Sequence, residues 1–134
     1  MRILIDTDVC LDFITGREPY YIDAKKLFWK VENEDLEGVV SPESFSNMYY
    51  VLCRFHSSKK VITQLKALCS IITISTLSAS IINDALNSGW QDFEDAIQHF
   101  SGVEAQCDAI ITRNNTDFTK STLPVRKPSE ILSD

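Results

Sequence analysis

The sequence predicts an α/β fold, a three-layer α/β/α sandwich around a central parallel sheet of four to five strands. Short apolar runs of strand length recur along the chain, helical segments separate them, and turn residues mark the junctions. Strands that alternate with helices imply right-handed crossovers and a sheet covered on both faces. With 134 residues, we expect residues 1–134 to form a single domain.

The first half of the chain is predicted to contain two strands and four helices. The predicted elements are a strand over 2–5, helices over 8–15 and 20–33, a strand over 38–40, and helices over 41 to about 56 and about 57–70. Ser41-Pro42-Glu43 resembles a helix start, with Ser as cap, Pro in the first turn and an early acid.

The second half continues the alternation. The predicted elements are a strand over 71–74, a helix over 78–88, a helix over 92 to about 104, a strand over 109–112 and a short fifth strand over 123–125. Gly89 closes the first of these helices. Pro124 indicates that the fifth strand lies at an edge of the sheet, where a missing N–H is tolerated.

The charge of the chain bears on its partners. The formal net charge is −6, which counts against a nucleic-acid substrate. A site made of converging carboxylates is acidic by design, however, and a bound divalent cation inverts its local potential. A basic partner that covers the acidic surface is a second possibility. No apolar run approaches membrane-spanning length and no signal peptide is recognisable, so we expect a cytoplasmic protein without a membrane segment.

The cysteines and histidines suggest no separate chemistry. The four cysteines are scattered among apolar neighbours, so we expect reduced thiols that pack in the core: Cys10, Cys53, Cys69 and Cys107. We expect His99 at the surface or facing a partner, although it lies one turn beyond Asp95. The aromatic-rich segment around Tyr49 and Tyr50 favours core packing or a dimer face over base stacking.

Carboxylates follow or approach the predicted strand ends in three separate segments. Asp6 follows the first strand, Asp117 follows the fourth, and Asp92, Glu94 and Asp95 crowd the start of the helix before the fourth. In parallel α/β sheets ligands bind beyond the carboxyl ends of the strands. A hard divalent cation would offset the mutual repulsion of acids gathered there. Each acid also has a structural interpretation, as a helix cap, a first-turn acid or a turn residue.

These motifs, taken in order, resemble those of the PIN-domain family. They are an apolar strand followed by DTDV, then DFEDAIQ, then AIITRNNTDF, and the likeness covers essentially the whole chain. The resemblance implies an α/β/α sandwich and Mg²⁺- or Mn²⁺-dependent cleavage of single-stranded RNA, as in the VapC-like toxins of toxin–antitoxin pairs. It also implies an antitoxin partner and a homodimer.

The resemblance assigns roles to individual residues. It makes Asp6, Asp95 and Asp117 the catalytic and metal-binding acids, Asp92 an additional metal-binding acid, and Thr112, Asn114, Asn47 and Glu43 supporting residues. Many members carry a Glu where this chain has Asn47, and a subgroup of the family lacks this Glu as the present chain does. An Asn carbonyl can ligate a cation but brings no charge, so metal affinity is the property in question. Glu43, one turn earlier, reaches the site only if the helix start is displaced.

Two alternatives remain at this point. Asp6-Thr7-Asp8-Val9 also fits the start of haloacid-dehalogenase-like phosphatases, with Asp6 as nucleophile and Asp8 as general acid, but the other residues of that family fit poorly. A catalytically weakened PIN scaffold that binds RNA or a protein partner without cutting is the non-enzymatic alternative. The missing Glu and the acidic charge favour it.

Overall fold

The computed structural model describes residues 1–133. Its elements are β1 (Arg2–Ile5), α1 (Thr7–Thr15), α2 (Tyr21–Glu32), β2 (Glu37–Val40), α3 (Pro42–Leu52), α4 (Ser58–Cys69), β3 (Thr73–Ile74), α5 (Ala79–Asn87), α6 (Phe93–Glu104), β4 (Ala109–Ile111), a 3₁₀ helix (Asn115–Phe118), β5 (Val125–Arg126) and α7 (Pro128–Leu132).

The five strands form one sheet in the order β3-β2-β1-β4-β5, and all its strand pairs are parallel. β1 lies at the centre, with Ile3 opposite Gly38 of β2 and Ala109 of β4. The predicted α/β/α sandwich with a four- to five-stranded parallel sheet is therefore confirmed. This order brings the carboxyl ends of β1 and β4 side by side.

Alternating residues of β1 pack on opposite faces of the sheet. Ile3 and Ile5 join a core cluster with side chains from α1 to α4, whereas Leu4 packs on the other face with Cys107 and Phe118. A strand buried on both faces reads as an unbroken apolar run, as in RILI. Both helical layers are therefore fixed to β1, the strand that ends at Asp6.

Several element boundaries differ from the predicted ones. α3 ends at Leu52 rather than near residue 56, because the chain turns there and Ser57 caps α4 by accepting a hydrogen bond from Lys60 N at 3.3 Å. β3 is limited to Thr73–Ile74, and the preceding Ile71 and Ile72 pack against the core instead of pairing.

The edge strand β5 also lies further along the chain than predicted. Pro124 precedes it and accepts a hydrogen bond from Ile110 N at 2.9 Å through its carbonyl, so pairing begins there and continues over Val125–Arg126. The 3₁₀ helix and α7 were not predicted, since segments of four and five residues carry little periodicity.

Two expectations about buried residues were wrong. Cys10 and Cys107 are buried as free thiols and Cys53 is half-buried, but Cys69 is exposed at the end of α4. His99 is not a surface residue, because only 2% of it is exposed. Its ring stacks on Trp90 with centroids 4.9 Å apart, and its Nε2 accepts a hydrogen bond from Thr122 N at 3.1 Å.

The aromatic-rich helix α3 is divided between the core and the surface. Met48 is fully buried, whereas Tyr50 is 66% exposed. None of the helices within residues 1–133 combines the length and apolar character needed to cross a bilayer.

Candidate active site

A cavity of about 380 Å³ opens at the carboxyl edge of the sheet, between the starts of α1 and α6. We call it the acid cavity. Its lining residues are Asp6, Thr7, Asp8, Leu11, Asn47, Tyr50, Val51, Asp92, Glu94, Asp95, Gln98 and Asp117. Five of the eight predicted site residues therefore line one space, while Thr112, Asn114 and Glu43 do not line it.

Asp6 is the most deeply buried of these acids, with 8% of the residue exposed. Its Oδ1 accepts a hydrogen bond from Gln98 Nε2 at 2.8 Å, and its Oδ2 accepts one from Thr112 Oγ1 at 2.7 Å. Although Asp6 precedes α1, its side chain makes no capping hydrogen bond, so the structural interpretation as a cap is wrong. Burial raises the pKa of Asp6 above its usual value, although both hydrogen bonds lower it.

Asp92 and Asp95 form the start of α6. Asp92 is the N-cap, and its Oδ1 accepts a hydrogen bond from Asp95 N at 3.0 Å, which confirms the capping interpretation while leaving the residue in the acid cavity. Burial, followed in order of size by the charges of Asp92, Asp6, Asp117 and Glu94, raises the pKa of Asp95 to about 7. The charges of all the other acids expected to hold metal therefore contribute to the raised pKa of Asp95.

Asp117 lies on the 3₁₀ helix after β4 and belongs to a short chain of polar contacts. Its Oδ2 accepts a hydrogen bond from Asn114 Nδ2 at 2.8 Å. Asn114 N in turn donates to Thr112 Oγ1 at 3.1 Å, the same hydroxyl that donates to Asp6. Thr112 and Asn114 therefore fix the two acids relative to each other, as supporting residues would.

Asn47 and Glu43 differ in their access to the site. Asn47 lines the acid cavity from α3, in the position the resemblance gives it. Glu43 Oε1 accepts a hydrogen bond from Ser41 Oγ at 2.8 Å, and Glu43 Oε2 is buried without a partner. Burial is the largest cause of a raised Glu43 pKa, and the charge of Glu94 adds to it. Glu43 thus lies beside the acidic region without reaching the cavity lining.

The acids of the cavity have no cationic side chain as an ion-pair partner. The two ion pairs formed within residues 1–133, Arg2–Glu37 and Arg113–Asp12, lie elsewhere. In the same residues no three His, Cys, Asp or Glu side chains are arranged as a finished metal-ligand cluster. The donor set still fits a hydrated Mg²⁺ or Mn²⁺, since such ions take carboxylate oxygens together with several waters. A cation would offset the mutual repulsion of the acids, which adds to burial in raising the pKa of Asp95.

Sequence reasoning assigned no role to Gln98, which holds Asp6. The signal that could have identified it is its spacing, because residues three apart share a helix face and Gln98 is three residues after Asp95. Asp8 and Glu94 also line the cavity and were not chosen as metal-binding residues.

Comparison with known families gives one match over most of the chain. The PIN domain model matches residues 2–116. A comparison with curated proteins found no match.

Solved structures with similar folds include one described as a toxin–antitoxin complex and one described as a toxin. VapBC-1 from nontypeable Haemophilus influenzae has a TM-score of 0.73 at 12% identity and covers 96% of this chain and 99% of its own. A toxin–antitoxin complex from Klebsiella pneumoniae has a TM-score of 0.69 at 21% identity, covering 94% and 97%. VapC20 of Mycobacterium tuberculosis, described as a sarcin–ricin loop cleaving toxin, has a TM-score of 0.70 at 12% identity, covering 88% and 94%. At these identities the likeness concerns the fold.

Proposed function

The chain belongs to the PIN-domain family, and on that premise we propose that it is a metal-dependent endoribonuclease that cleaves single-stranded RNA. One observation carries the proposal. Acids from three distant segments share the acid cavity, whose lining within residues 1–133 includes no cationic side chain, and burial together with the charges of these acids raises the pKa of Asp95 to about 7. Perturbed acids in a cleft are typical of functional sites.

Asp6, Asp95 and Asp117 would hold Mg²⁺ or Mn²⁺, with Asp92 beside them. A divalent cation held by these acids would lower the pKa of water and offset negative charge on the phosphodiester. Gln98 and Thr112 hold both oxygens of Asp6, and Asn114 holds Asp117, so the acids are oriented before substrate binds. In the hydrolysis, a P–O bond forms to water as the bond to the leaving oxygen breaks, and that oxygen leaves with a proton.

We extend the proposal to the biological setting. The chain acts in the cytoplasm as the toxin of a toxin–antitoxin pair, has an antitoxin protein as partner and forms a homodimer. This rests on the family and on a structural neighbour described as a toxin–antitoxin complex.

Cleavage of single-stranded RNA with Mg²⁺ or Mn²⁺ tests the nuclease directly. We expect Asp6→Ala and Asp95→Ala to abolish cleavage, and Asp84→Ala, an exposed acid on α5 outside the cavity, to cleave like the wild type. In cells, growth arrest by the wild type should vanish with Asp6→Ala and on co-expression of the antitoxin. Arrest that survives Asp6→Ala would contradict the proposal.

The non-enzymatic alternative is favoured by Asn47, which brings no charge to the cavity. If the wild type cleaves nothing while the Asp6 and Asp95 variants bind RNA equally well, a binding scaffold is supported. Asn47→Glu then sharpens the result, because cleavage gained by this variant identifies the missing charge as the cause. Turnover of phenyl phosphate without RNA cleavage would support the phosphatase alternative.

A further inference from the structure

A second cleft adjoins the acid cavity. It has a volume of about 510 Å³, and Asp92, Asp95 and Asp117 border both this cleft and the acid cavity. We call it the Lys120 cleft. Its remaining lining residues are Gly89, Trp90, Gln91, Thr116, Thr119 and Lys120. A substrate held at the acids would have a neighbouring nucleotide within reach of this surface.

Lys120 is the one cationic side chain that lines either space within residues 1–133. Its Nζ donates a hydrogen bond to the backbone carbonyl of Gly89 at 2.7 Å and forms no ion pair with an acid of the described residues. Gly89 has φ +70°, a backbone conformation that favours glycine. The ammonium group is thus tethered beside the acids with its charge unpaired and exposed to solvent.

Trp90 provides an immobilised aromatic ring on the same surface. The ring stacks on His99 at 4.9 Å and meets Phe118 edge-on at 5.8 Å, and the residue is half-buried. A ring fixed in this way loses little conformational freedom when a base stacks on it. Stacking on aromatic rings is a sequence-tolerant way to bind single-stranded nucleic acid.

Cationic groups lie near both flanks of the acid cavity, since Arg54 lies 4.9 Å over the Tyr50 ring on the opposite flank. Lys120 differs in bordering a space that Asp92, Asp95 and Asp117 themselves line. The Lys120 cleft combines a cation, an aromatic ring and the exposed polar side chains of Gln91, Thr116 and Thr119. In a bound nucleotide, the cation can contact the phosphate, the ring can stack on the base, and the polar side chains can hydrogen-bond to the sugar hydroxyls.

We propose that the Lys120 cleft binds the nucleotide adjacent to the scissile phosphate of a single-stranded RNA. Trp90 stacks on its base and Lys120 contacts its phosphate. The inference rests on the proposed nuclease function, because the acid cavity fixes where the scissile phosphate lies. The inference adds to that function the side of the acid cavity on which the RNA lies and the two residues that bind it.

The fluorescence of Trp90 tests the stacking. The chain has two tryptophans, and Trp29→Phe on α2 leaves Trp90 as the sole reporter. Asp95→Asn is combined with it so that RNA is bound without being cut. We expect titration with a single-stranded RNA to quench Trp90. Unchanged fluorescence at saturation, judged by the anisotropy of labelled RNA, would overturn the stacking.

The phosphate contact is tested by Lys120→Gln, with Lys26→Gln as the matched control. Lys26 is exposed on α2, a helix that lines neither space. In the Asp95→Asn background, we expect Lys120→Gln to weaken RNA binding by about tenfold and to reduce the slope of log affinity against log salt by about 0.7, the value for one phosphate contact in a single strand. Equal affinities and slopes for the two lysine variants would overturn the contact.

The failures of the two proposals can be told apart. Cleavage by the wild type, with Lys120→Gln indistinguishable from Lys26→Gln and Trp90 not quenched, overturns the nucleotide-binding cleft alone. RNA binding that quenches Trp90 and depends on Lys120, without any metal-dependent cleavage by the wild type, overturns the nuclease proposal alone.

Discussion

Asp6 and Asp12 lie six positions apart, and both are buried, but their partners differ. Asp12 is 1% exposed, and its Oδ2 lies 2.7 Å from Arg113 Nε, while the Arg113 guanidinium also sits 4.0 Å above the Tyr20 ring. Asp6 has only the neutral donors Gln98 and Thr112. The comparison teaches that the acid with a structural role has its own cation, whereas the acid in the cavity is oriented but not neutralised.

A single tripeptide connects the two regions. Thr112 and Asn114 direct their side chains to the acids of the cavity, and Arg113 between them reaches Asp12 of α1. The segment after β4 is therefore anchored on one side by an ion pair and delivers hydrogen-bond donors on the other. We expect a substitution at the ion pair to change the stability of the chain, and a substitution at the hydrogen-bond donors to change the acid cavity.

The largest effect is expected at the buried ion pair. Asp12→Ala leaves the Arg113 guanidinium, whose side chain is 20% exposed, without its partner. We expect the free energy of unfolding to fall by about 3 kcal/mol, since removing one partner of a buried pair is strongly destabilising. Urea unfolding measures the loss, with the exposed Asp84→Ala as control. A change below about 0.5 kcal/mol, the range of ordinary surface substitutions, would refute the anchoring role.

A smaller effect is expected at Thr112. Thr112→Val removes the hydroxyl that donates to Asp6 Oδ2 and accepts from Asn114 N, while keeping the shape of the side chain. We expect Mn²⁺ affinity, measured by calorimetry, to fall by about tenfold, as for other residues that orient metal ligands. Thr112→Ser keeps the hydroxyl and should bind as tightly as the wild type. Equal affinities for the Val and Ser variants would exclude this role.

The smallest effect is expected on the free energy of unfolding of the metal-free protein. The pKa of Asp95 is raised from 3.8 to about 7, so between these values the folded chain holds a proton that the unfolded chain has lost. The metal-free protein should therefore lose stability as pH rises from about 4 to about 7. Because Asp95 is partly exposed, we expect its share to be roughly 1 kcal/mol.

Asp95→Asn isolates this contribution. The variant should be more stable than the wild type above pH 7 in EDTA, and its stability should vary less with pH below that value. Urea unfolding at several pH values provides the measurement. Parallel pH profiles for the two proteins would show that folding does not raise the pKa of Asp95.

The fold could be predicted because each strand is a short apolar run between helical segments. β1, β2 and β4 were found almost to the residue since they are buried and their residues carry no alternation. The edges were less well predicted, because Thr73–Ile74 and Val125–Arg126 have only two paired residues each. Such short edge strands are defined by their neighbours more than by their own composition.

The acids of the site were predictable, and so were their partners Thr112 and Asn114. Gln98 and the structural ion pair of Arg113 with Asp12 were not. Asp6 and Asp117 follow strands, and Asp92 and Asp95 start a helix that reaches the same edge, so their positions follow from topology. The bonds from Gln98 to Asp6 and from Arg113 to Asp12 join residues about a hundred positions apart. No local pattern encodes such pairs. His99 was placed wrongly for the same reason, since Trp90 and Thr122 bury it from other segments.

The central position of β1 also determines when a growing chain acquires this site. Asp6 is made first, but its donors Gln98 and Thr112 and the neighbouring Asp117 arrive only after β4 has been synthesised and has inserted beside β1. An incomplete chain on the ribosome therefore has its first acid and no site around it. The acid cavity can therefore assemble only after Asp117 has been synthesised.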